Sequence, residues 1–338
     1  MGTDGGTRVR AVLNDTERDE LVVTELDELV PKPHELVVRV RAAGVNRADL
    51  NARRGGRRIT PRPEEAGQPP IAGLELAGEV TAVGSDVTGW SVGDRVMARG
   101  RGYAEQATVD AAAAMRVPDG VAWEQAGGSP IALMTMHDAL RTAGRLRRGE
   151  SVVVNAATSG VGVVGCRVAA ALGASVVFAT SRSAEKLRVL ADELGELACP
   201  VIYVNTSDES LPDVVAAHTG GHGVDVIVDH IGAAALGDNI AAAAIRGRIV
   251  QVGRLGGRTA EIDLDELARK RIELVGVTFR TRTTDEVRAV VRALLDDLGE
   301  RLAEVGPRID QVFPLEQARA AQDALAANRH VGKLVLVP

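Results

Sequence analysis

The stretch Ser151–Lys186 reads SVVVNAATSGVGVVGCRVAAALGASVVFATSRSAEK, and it decides the fold of this chain. Its first four residues form an apolar run between turn formers, which is typical of a buried parallel strand. The segment Gly160–Gly165 then fits G-x-G-x-x-G, and Val161–Leu172 is predicted to be a helix that ends at Gly173. The apolar run Val176–Thr180 completes a β-α-β unit. Placed between two strands in this way, the glycine pattern predicts a dinucleotide-binding site.

Each glycine of this pattern has an expected physical role. Gly160 would let the chain turn sharply, Gly162 would let the backbone approach a pyrophosphate, and Gly165 would let the helix pack closely on the strand. The free N–H groups and the positive end of the helix dipole would hold the phosphates. The residues expected to line this cradle are Ala157, Ser159, Gly160, Val161 and Gly162. An ordinary turn between a strand and a helix is the alternative interpretation.

The end of the second strand indicates which dinucleotide binds. An NAD site usually carries Asp or Glu about 20 residues after the first glycine, where it binds the ribose hydroxyl. Here Thr180–Ser183 contains no carboxylate, whereas Ser181, Arg182 and Lys186 could surround a 2′-phosphate. The alternative is an exposed helix start with Ser183 as its N-cap. The pattern therefore favours NADPH over NADH as the cofactor.

The composition is that of an ordinary globular chain. Its 338 residues predict about two domains. A net charge of -6 and the lack of a basic block with interleaved aromatics argue against a nucleic-acid partner. The cysteines Cys166 and Cys199 lack metal-ligand spacing. Since no apolar run reaches the roughly 18 residues of a membrane span and no signal peptide opens the chain, we expect a cytoplasmic protein without a membrane partner.

The chain has two parts that differ in their predicted secondary structure. The first part has short strands and glycine turns without a long helix, which predicts a mostly β, barrel-like domain. From about Trp123 helices alternate with strands, which predicts a doubly wound sheet of about six parallel strands. The last predicted strand, Lys333–Val337, is expected to return to the first domain. The expected domains are therefore 1–128 together with 281–338, and 129–280.

A series of short motifs follows along the chain. They are AAGVNRADL at 42–50, GLELAGEV at 73–80, VGDRV at 92–96, GYAE at 102–105, LMTMHDAL at 133–140, DHIG at 229–232, GRIVQVG at 247–253 and GKLVL at 332–336. Because these motifs occur together in this order, the chain resembles the medium-chain dehydrogenase/reductase superfamily, and within it the zinc-independent quinone oxidoreductase group. The resemblance implies an α/β fold of two domains, a GroES-like mostly-β partial barrel and a Rossmann domain. It also implies a homodimer.

The resemblance further implies that no metal is bound. Zinc-dependent relatives carry Cys where this chain has Asn46, and Gly-His-Glu where it has Gly73-Leu74-Glu75. Both replacements remove a ligand, because leucine does not coordinate metals and an amide does not replace a thiolate. The four-cysteine cluster that forms the structural zinc site of those relatives is also missing. We therefore expect a protein without zinc.

Without a Lewis acid, the remaining chemistry is direct hydride transfer from a nicotinamide to an electron-poor carbon. Quinones and other α,β-unsaturated carbonyls are suitable small-molecule substrates, because they delocalise the arriving charge. By resemblance, Asn46 and Thr135 would position the nicotinamide, and Gly253 and Lys333 would form the far rim of the cofactor site. Alternatively, Asn46 caps the helix that follows, Thr135 bonds to its own backbone, and Lys333 is a solvated edge residue.

The sequence offers no single proton donor. Several relatives place a tyrosine where this chain has Asn51, and an amide is a poor acid. His137 has an ordinary pKa of about 6.5, which suits proton transfer, but a lone histidine in a helix is often structural. Tyr103 and the arginine-rich loop at 53–58 are further candidates. Two other functions stay open: an enoyl-thioester reductase that acts on a carrier-bound or CoA acyl chain, and a non-catalytic or regulatory NADPH-binding protein.

Overall fold

The computed structural model describes residues 8–54 and 69–338. The strands are β1 (Arg8–Asp15), β2 (Glu20–Asp27), β3 (Glu35–Val45), β4 (Glu75–Val83), β5 (Arg95–Arg99), β6 (Gln106–Asp110), β7 (Ala114–Arg116), β8 (Ser151–Val154), β9 (Val176–Ser181), β10 (Val201–Asn205), β11 (Val224–Asp229), β12 (Ala243–Gln251), β13 (Glu273–Gly276), β14 (Ile309–Pro314) and β15 (Lys333–Val337). The α-helices are α1 (Arg47–Arg53), α2 (Trp123–Gly127), α3 (Pro130–His137), α4 (Gly160–Ala171), α5 (Ala184–Leu194), α6 (Leu211–Thr219), α7 (Leu236–Ala242), α8 (Leu264–Lys270), α9 (Thr284–Leu298) and α10 (Ala318–Ala327).

The chain divides into two compact units. The first unit comprises Met1–Ile131, Val287–Arg292 and Ile309–Pro338, and the second comprises Ala132–Glu286 and Ala293–Arg308. Helix α9 therefore contributes residues to both units. The C-terminal part of α9 and the segment after it, Ala293–Arg308, group with the second unit. Strands β14 and β15 group with the first unit.

Strand β3 is the centre of the first unit. It pairs antiparallel with β4 and β6, and its final residues pair antiparallel with β15. The seven-stranded sheet runs β14-β15-β3-β4-β5-β7, with β6 also on β3, while β1 and β2 form a separate hairpin. In β3, Val38 and Val40 are buried and Arg39 and Arg41 are exposed, so the period-2 pattern gives one face to the core.

The second unit is a doubly wound α/β domain. Its six parallel strands run in the order β10-β9-β8-β11-β12-β13, which is the 3-2-1-4-5-6 order of a Rossmann sheet. The central strands are almost wholly apolar: Val153, Phe178, Ile227 and Ile249 have no exposed surface. The sequence prediction of six parallel strands is confirmed. Strand order reverses between β8 and β11, and ligands of such sheets bind outside the carboxyl ends of the strands at this point.

Helix α3 ends at His137 and continues as a π-helical turn, Asp138–Ala143. The side chain of Asp138 is buried and paired with Arg282 at 2.6 Å. The predicted helix Val161–Leu172 agrees with α4 to within one residue at each end.

Candidate active site

The loop between β8 and α4 carries the glycine pattern. Ser159 is the N-cap of α4, and its Oγ accepts a hydrogen bond from the N–H of Gly162 at 3.0 Å. The left-handed residue of the loop is Ala156, with φ of 53°, and Gly160 is already the first residue of the helix. The expectation that Gly160 makes the sharp turn was therefore wrong, because the chain turns four residues earlier.

The second and third glycines are required by close packing. A Cβ on Gly162 would lie 2.6 Å from the Cα of Ala157, so the loop backbone folds directly over the first helical turn. A Cβ on Gly165 would clash with the side chain of Met136 and lie 3.3 Å from Val154 of β8. The predicted close packing of this helix on its strand is confirmed. The backbone N–H groups at the start of such a helix commonly bind phosphate groups.

A buried polar network holds this loop to the neighbouring strand ends. Asn155 Nδ2 donates to Asn239 Oδ1 at 2.8 Å, and its Oδ1 accepts from Thr180 Oγ1 at 3.0 Å. The carboxylate of Asp229 accepts hydrogen bonds from two backbone N–H groups, including that of Gly232 at 3.0 Å. Burial raises the pKa of Asp229, and these hydrogen bonds oppose the rise. The sequence analysis missed these residues, although the DHIG motif contains one of them.

The end of β9 has the composition expected around a phosphate. Arg182 is exposed, and the hydroxyl of Ser181 lies 3.4 Å from that of Thr158 in the glycine-rich loop. Ser183 is also the N-cap of α5, since its Oγ accepts from the N–H of Lys186 at 3.3 Å. The capping alternative is thus correct for Ser183, and it leaves the guanidinium of Arg182 exposed.

Three further candidates lie in the second unit. Gly253 follows β12, and its N–H donates to the carbonyl of Asp229 at 3.0 Å. Thr135 is buried on α3. His137 has no exposed surface, and its Nε2 lies 2.9 Å from Asp297 Oδ2. Burial lowers the pKa of His137, so a neutral ring at neutral pH with a structural hydrogen bond fits better than a proton donor.

A buried ion cluster lies in the first unit. We call Asn46, Glu75 and Lys333 the Lys333 cluster. Lys333 Nζ lies 2.7 Å from Asn46 Oδ1 and is ion-paired with Glu75 Oε1, while Asn46 Nδ2 donates to the same Glu75 oxygen at 2.8 Å. Lys333 is 3% exposed, so the alternative of a solvated edge residue was wrong. The ammonium reaches this position because β15 returns to pair with β3.

The backbone around Glu75 is packed so tightly that two glycines are needed. A Cβ on Gly44 would lie 2.7 Å from the Glu75 side-chain Cδ. A Cβ on Gly102 would lie 3.0 Å from the Glu75 carbonyl carbon and 2.9 Å from Ala43 Cβ. The other Glu75 oxygen, Oε2, accepts the N–H of Ile131 at 2.7 Å. The carboxylate is therefore held by the chain on both oxygens.

A second carboxyl, Asp49, borders the Lys333 cluster. Asn46 stands at the N-cap of α1, and its backbone N–H donates to Asp49 Oδ2 at 2.8 Å. The hydroxyl of Tyr103 donates to the same oxygen at 3.1 Å. Asn51, on the same helix, is exposed. The sequence analysis missed both Asp49 and the partner role of Glu75, although Asp49 follows the helix cap at the spacing of a capping box.

Burial raises the pKa of the Asp49 carboxyl from 3.8 to about 7, and the bonds from Asn46 and Tyr103 only partly oppose this. Between these two values the folded chain keeps a proton that the unfolded chain has lost. The contribution of this group to stability is therefore fully present below about pH 4 and is lost as the pH rises towards 7.

We expect the Asp49→Asn substitution to remove this pH dependence, because an amide keeps the shape of the side chain without ionising. Relative to wild type, its free energy of unfolding should increase by about 4 kcal/mol between about pH 4 and about pH 8. Chemical denaturation at both pH values measures the difference. The control is Asp119→Asn, at an exposed carboxyl of the same unit, which should show no divergence. Parallel pH responses of Asp49→Asn and wild type would contradict the assignment.

Within 8–54 and 69–338, no group of three or more His, Cys, Asp or Glu side chains is placed to hold a metal ion. In the same ranges, no helix has the length and apolar character required to cross a bilayer. Most of the arginine-rich loop at 53–58, a candidate from the sequence, lies outside the described residues.

Comparison with known proteins places both units in one family. Residues 32–119 match the alcohol dehydrogenase GroES-like domain, and residues 160–296 match a family model described as zinc-binding dehydrogenase. A solved alcohol dehydrogenase superfamily protein from Novosphingobium aromaticivorans superposes with a TM-score of 0.84 at 28% identity, over 98% of this chain and 100% of that chain.

Quinone oxidoreductases are also among the relatives. One from Pseudomonas aeruginosa is 33% identical over 317 residues, which cover 91% of this chain and 92% of that protein. The structure of Escherichia coli quinone oxidoreductase complexed with NADPH has a TM-score of 0.80 at 26% identity, over 98% of this chain and 100% of that chain. With its two domains, its strand order and these matches, the chain belongs to the quinone oxidoreductase group of the medium-chain dehydrogenase/reductase family.

Proposed function

We propose that this oxidoreductase uses NADPH to transfer hydride to a quinone or another α,β-unsaturated carbonyl, without a metal ion. The observation that carries the proposal is the position of Lys333 Nζ, which lies between Asn46 Oδ1 and Glu75 Oε1 in a buried site. The Lys333 ammonium therefore occupies both oxygen atoms that a metal ion at this position would need as ligands.

The side chains of this site do not fit a zinc ion. Asn46 and Glu75 are committed to the ammonium, and Leu74 has no ligand atom. A divalent cation placed beside Lys333 would also be repelled by its charge. Catalytic zinc sites have three protein ligands from His, Cys, Asp or Glu, whereas the Lys333 cluster contains one such side chain, Glu75, which is already paired with Lys333.

The glycine-rich loop of the second unit fits NADPH. Gly162 lets the loop backbone pack directly over the start of α4, and the first turn of α4 presents the N–H groups of Gly160 and Val161. At the end of β9, Ser181 and the exposed Arg182 supply a hydroxyl and a guanidinium for the 2′-phosphate. The Escherichia coli relative, whose structure contains NADPH, supports this choice. When bound, NADPH supplies the hydride from its reduced nicotinamide ring.

In this proposal, the residues of the Lys333 cluster hold one another in a fixed orientation. The amide of Asn46 is held in one orientation, because its oxygen faces Lys333 and its nitrogen faces Glu75. The charge of the Lys333 ammonium is balanced by its ion pair with Glu75, so in this proposal the ammonium fixes the orientation of Asn46. Such a group needs no reorganisation during the reaction, since both of its protein partners are already in place.

We expect purified protein to oxidise NADPH with para-quinones, ortho-quinones or enals, and to use NADH much less well. Loss of the absorbance of the reduced nicotinamide measures turnover, and the same assay with enoyl thioesters tests the alternative substrate class. A preference for enoyl thioesters would redirect the assignment to an acyl-chain reductase. No turnover with any of the four acceptor classes would contradict the enzymatic function and favour a non-catalytic protein.

We expect Arg182→Asp to weaken NADPH binding by about 10- to 100-fold and to change NADH binding little, because a charged hydrogen bond to phosphate is replaced by repulsion. Isothermal titration with each nucleotide gives both dissociation constants. Arg188→Asp makes the same charge change at a different exposed arginine, which lies on α5, and serves as the matched control. An equal loss for both nucleotides in Arg182→Asp would refute the 2′-phosphate assignment.

A further inference from the structure

A side-chain hydrogen bond joins the two elements of the second unit that are proposed to bind phosphate groups. The glycine-rich loop after β8 would hold the pyrophosphate of NADPH, and the end of β9, with Ser181 and Arg182, would hold the 2′-phosphate. Thr180, the residue before Ser181, donates from its Oγ1 to the Oδ1 of Asn155 at 3.0 Å. Asn155 is the first residue after β8, so this bond connects the two elements directly.

The parallel pairing of β8 with β9 brings these two side chains together. Val154 lies opposite Ala179 in this ladder, so the next residues, Asn155 and Thr180, are neighbours at the carboxyl ends of the strands. The N–H of Ala157 in the loop also donates to the carbonyl of Thr180 at 2.9 Å. The side-chain bond is thus a second link beside a backbone link, and the two together restrict rotation of the loop against the strand.

Asn155 is held by other parts of the second unit as well. It is 2% exposed, and its Nδ2 donates to the Oδ1 of Asn239 at 2.8 Å. Its backbone N–H donates to the carbonyl of Val228 on β11 at 3.0 Å. A buried amide with partners on both its oxygen and its nitrogen has one favoured orientation. The amide of Asn155 is therefore in place for Thr180 before any ligand binds.

The spacing of the two phosphate-binding elements affects only some ligands. NADPH carries the pyrophosphate and the 2′-phosphate in one molecule, so it can contact both elements at once. The second contact is then intramolecular, and it strengthens binding only when the two elements stand at the correct spacing. A spacing fixed in advance also lowers the ordering cost of binding. A ligand with only one of these groups gains nothing from the spacing.

We infer that Asn155 and Thr180 are positioning residues that fix the glycine-rich loop relative to the end of β9, so that a dinucleotide with both phosphate groups is bound in preference to a ligand with one of them. This inference rests on the proposed function. It adds a second source of NADPH preference to the charge of Arg182, because the contact groups are useful only in a fixed arrangement. All of these residues belong to the second unit.

The test compares the binding of NADPH, NADH and 2′-AMP by isothermal titration. NADH lacks the 2′-phosphate, and 2′-AMP lacks the pyrophosphate. Thr180→Val removes the hydroxyl and nearly keeps the shape of the side chain. It should raise the dissociation constant of NADPH about tenfold and change those of NADH and 2′-AMP by less than about twofold. Thr180→Ser keeps the hydroxyl and should bind NADPH within about twofold of wild type.

Ser151→Ala is the matched control. It removes another buried hydroxyl, which donates to Asp225 Oδ2 at 2.8 Å at the opposite end of β8. All three dissociation constants should stay within about twofold of wild type. Thr180→Ala removes the same hydroxyl as Thr180→Val and should reproduce its pattern, so the result does not depend on one variant. Chemical denaturation checks that each variant is folded.

An equal loss of affinity for all three ligands in the Thr180 variants would overturn the inference, because a general weakening of the fold acts on every ligand. Unchanged NADPH binding in Thr180→Val would overturn it as well. If wild type binds NADPH but reduces no acceptor, the proposed reaction fails, and the comparison of ligands still decides the role of this pair. If wild type binds no NADPH, the cofactor assignment and this inference both fail.

Discussion

A buried ammonium held between an amide oxygen and a carboxylate is the interaction on which the first unit depends. Lys333 and Glu75 are both removed from water, and each would be strongly unfavourable without the other. Loss of one partner from such a pair typically costs about 3–5 kcal/mol, because it leaves an uncompensated buried charge. The pairing of β15 with β3 brings the two together, so a contact between distant parts of the chain positions Lys333.

The same principle of fixed polar groups applies in the second unit. The glycine-rich loop is held by the side chain of Asn155, which binds Thr180 and Asn239, and by the cap at Ser159. These contacts fix the loop before any ligand arrives, which lowers the ordering cost of binding. The glycines serve mainly to let backbone and helix approach one another, and the turn itself is made by Ala156.

Local patterns in the sequence predicted the second unit well, because its strands are continuous apolar runs and its first helix follows a glycine signature. The six parallel strands and the close packing at Gly165 are confirmed. The Lys333 cluster was harder to predict, since Lys333 and Glu75 are 258 residues apart and their pairing depends on how the last strand returns. Similarly, neither a motif nor a spacing signals that burial and a bond from Tyr103 set the charge of Asp49. The roles of Asn46, Thr135 and Gly253 stay predictions.

We propose that hydride transfer needs no metal ion, because Asn46 Oδ1 and Glu75 Oε1 are already bound by the Lys333 ammonium. The most direct test measures zinc by elemental analysis and quinone turnover in the same samples, before and after chelation and after zinc is added back. We expect full turnover in protein with far less than one zinc ion per chain, and no gain on adding zinc. Turnover that rises in proportion to bound zinc, up to one ion per chain, would contradict it.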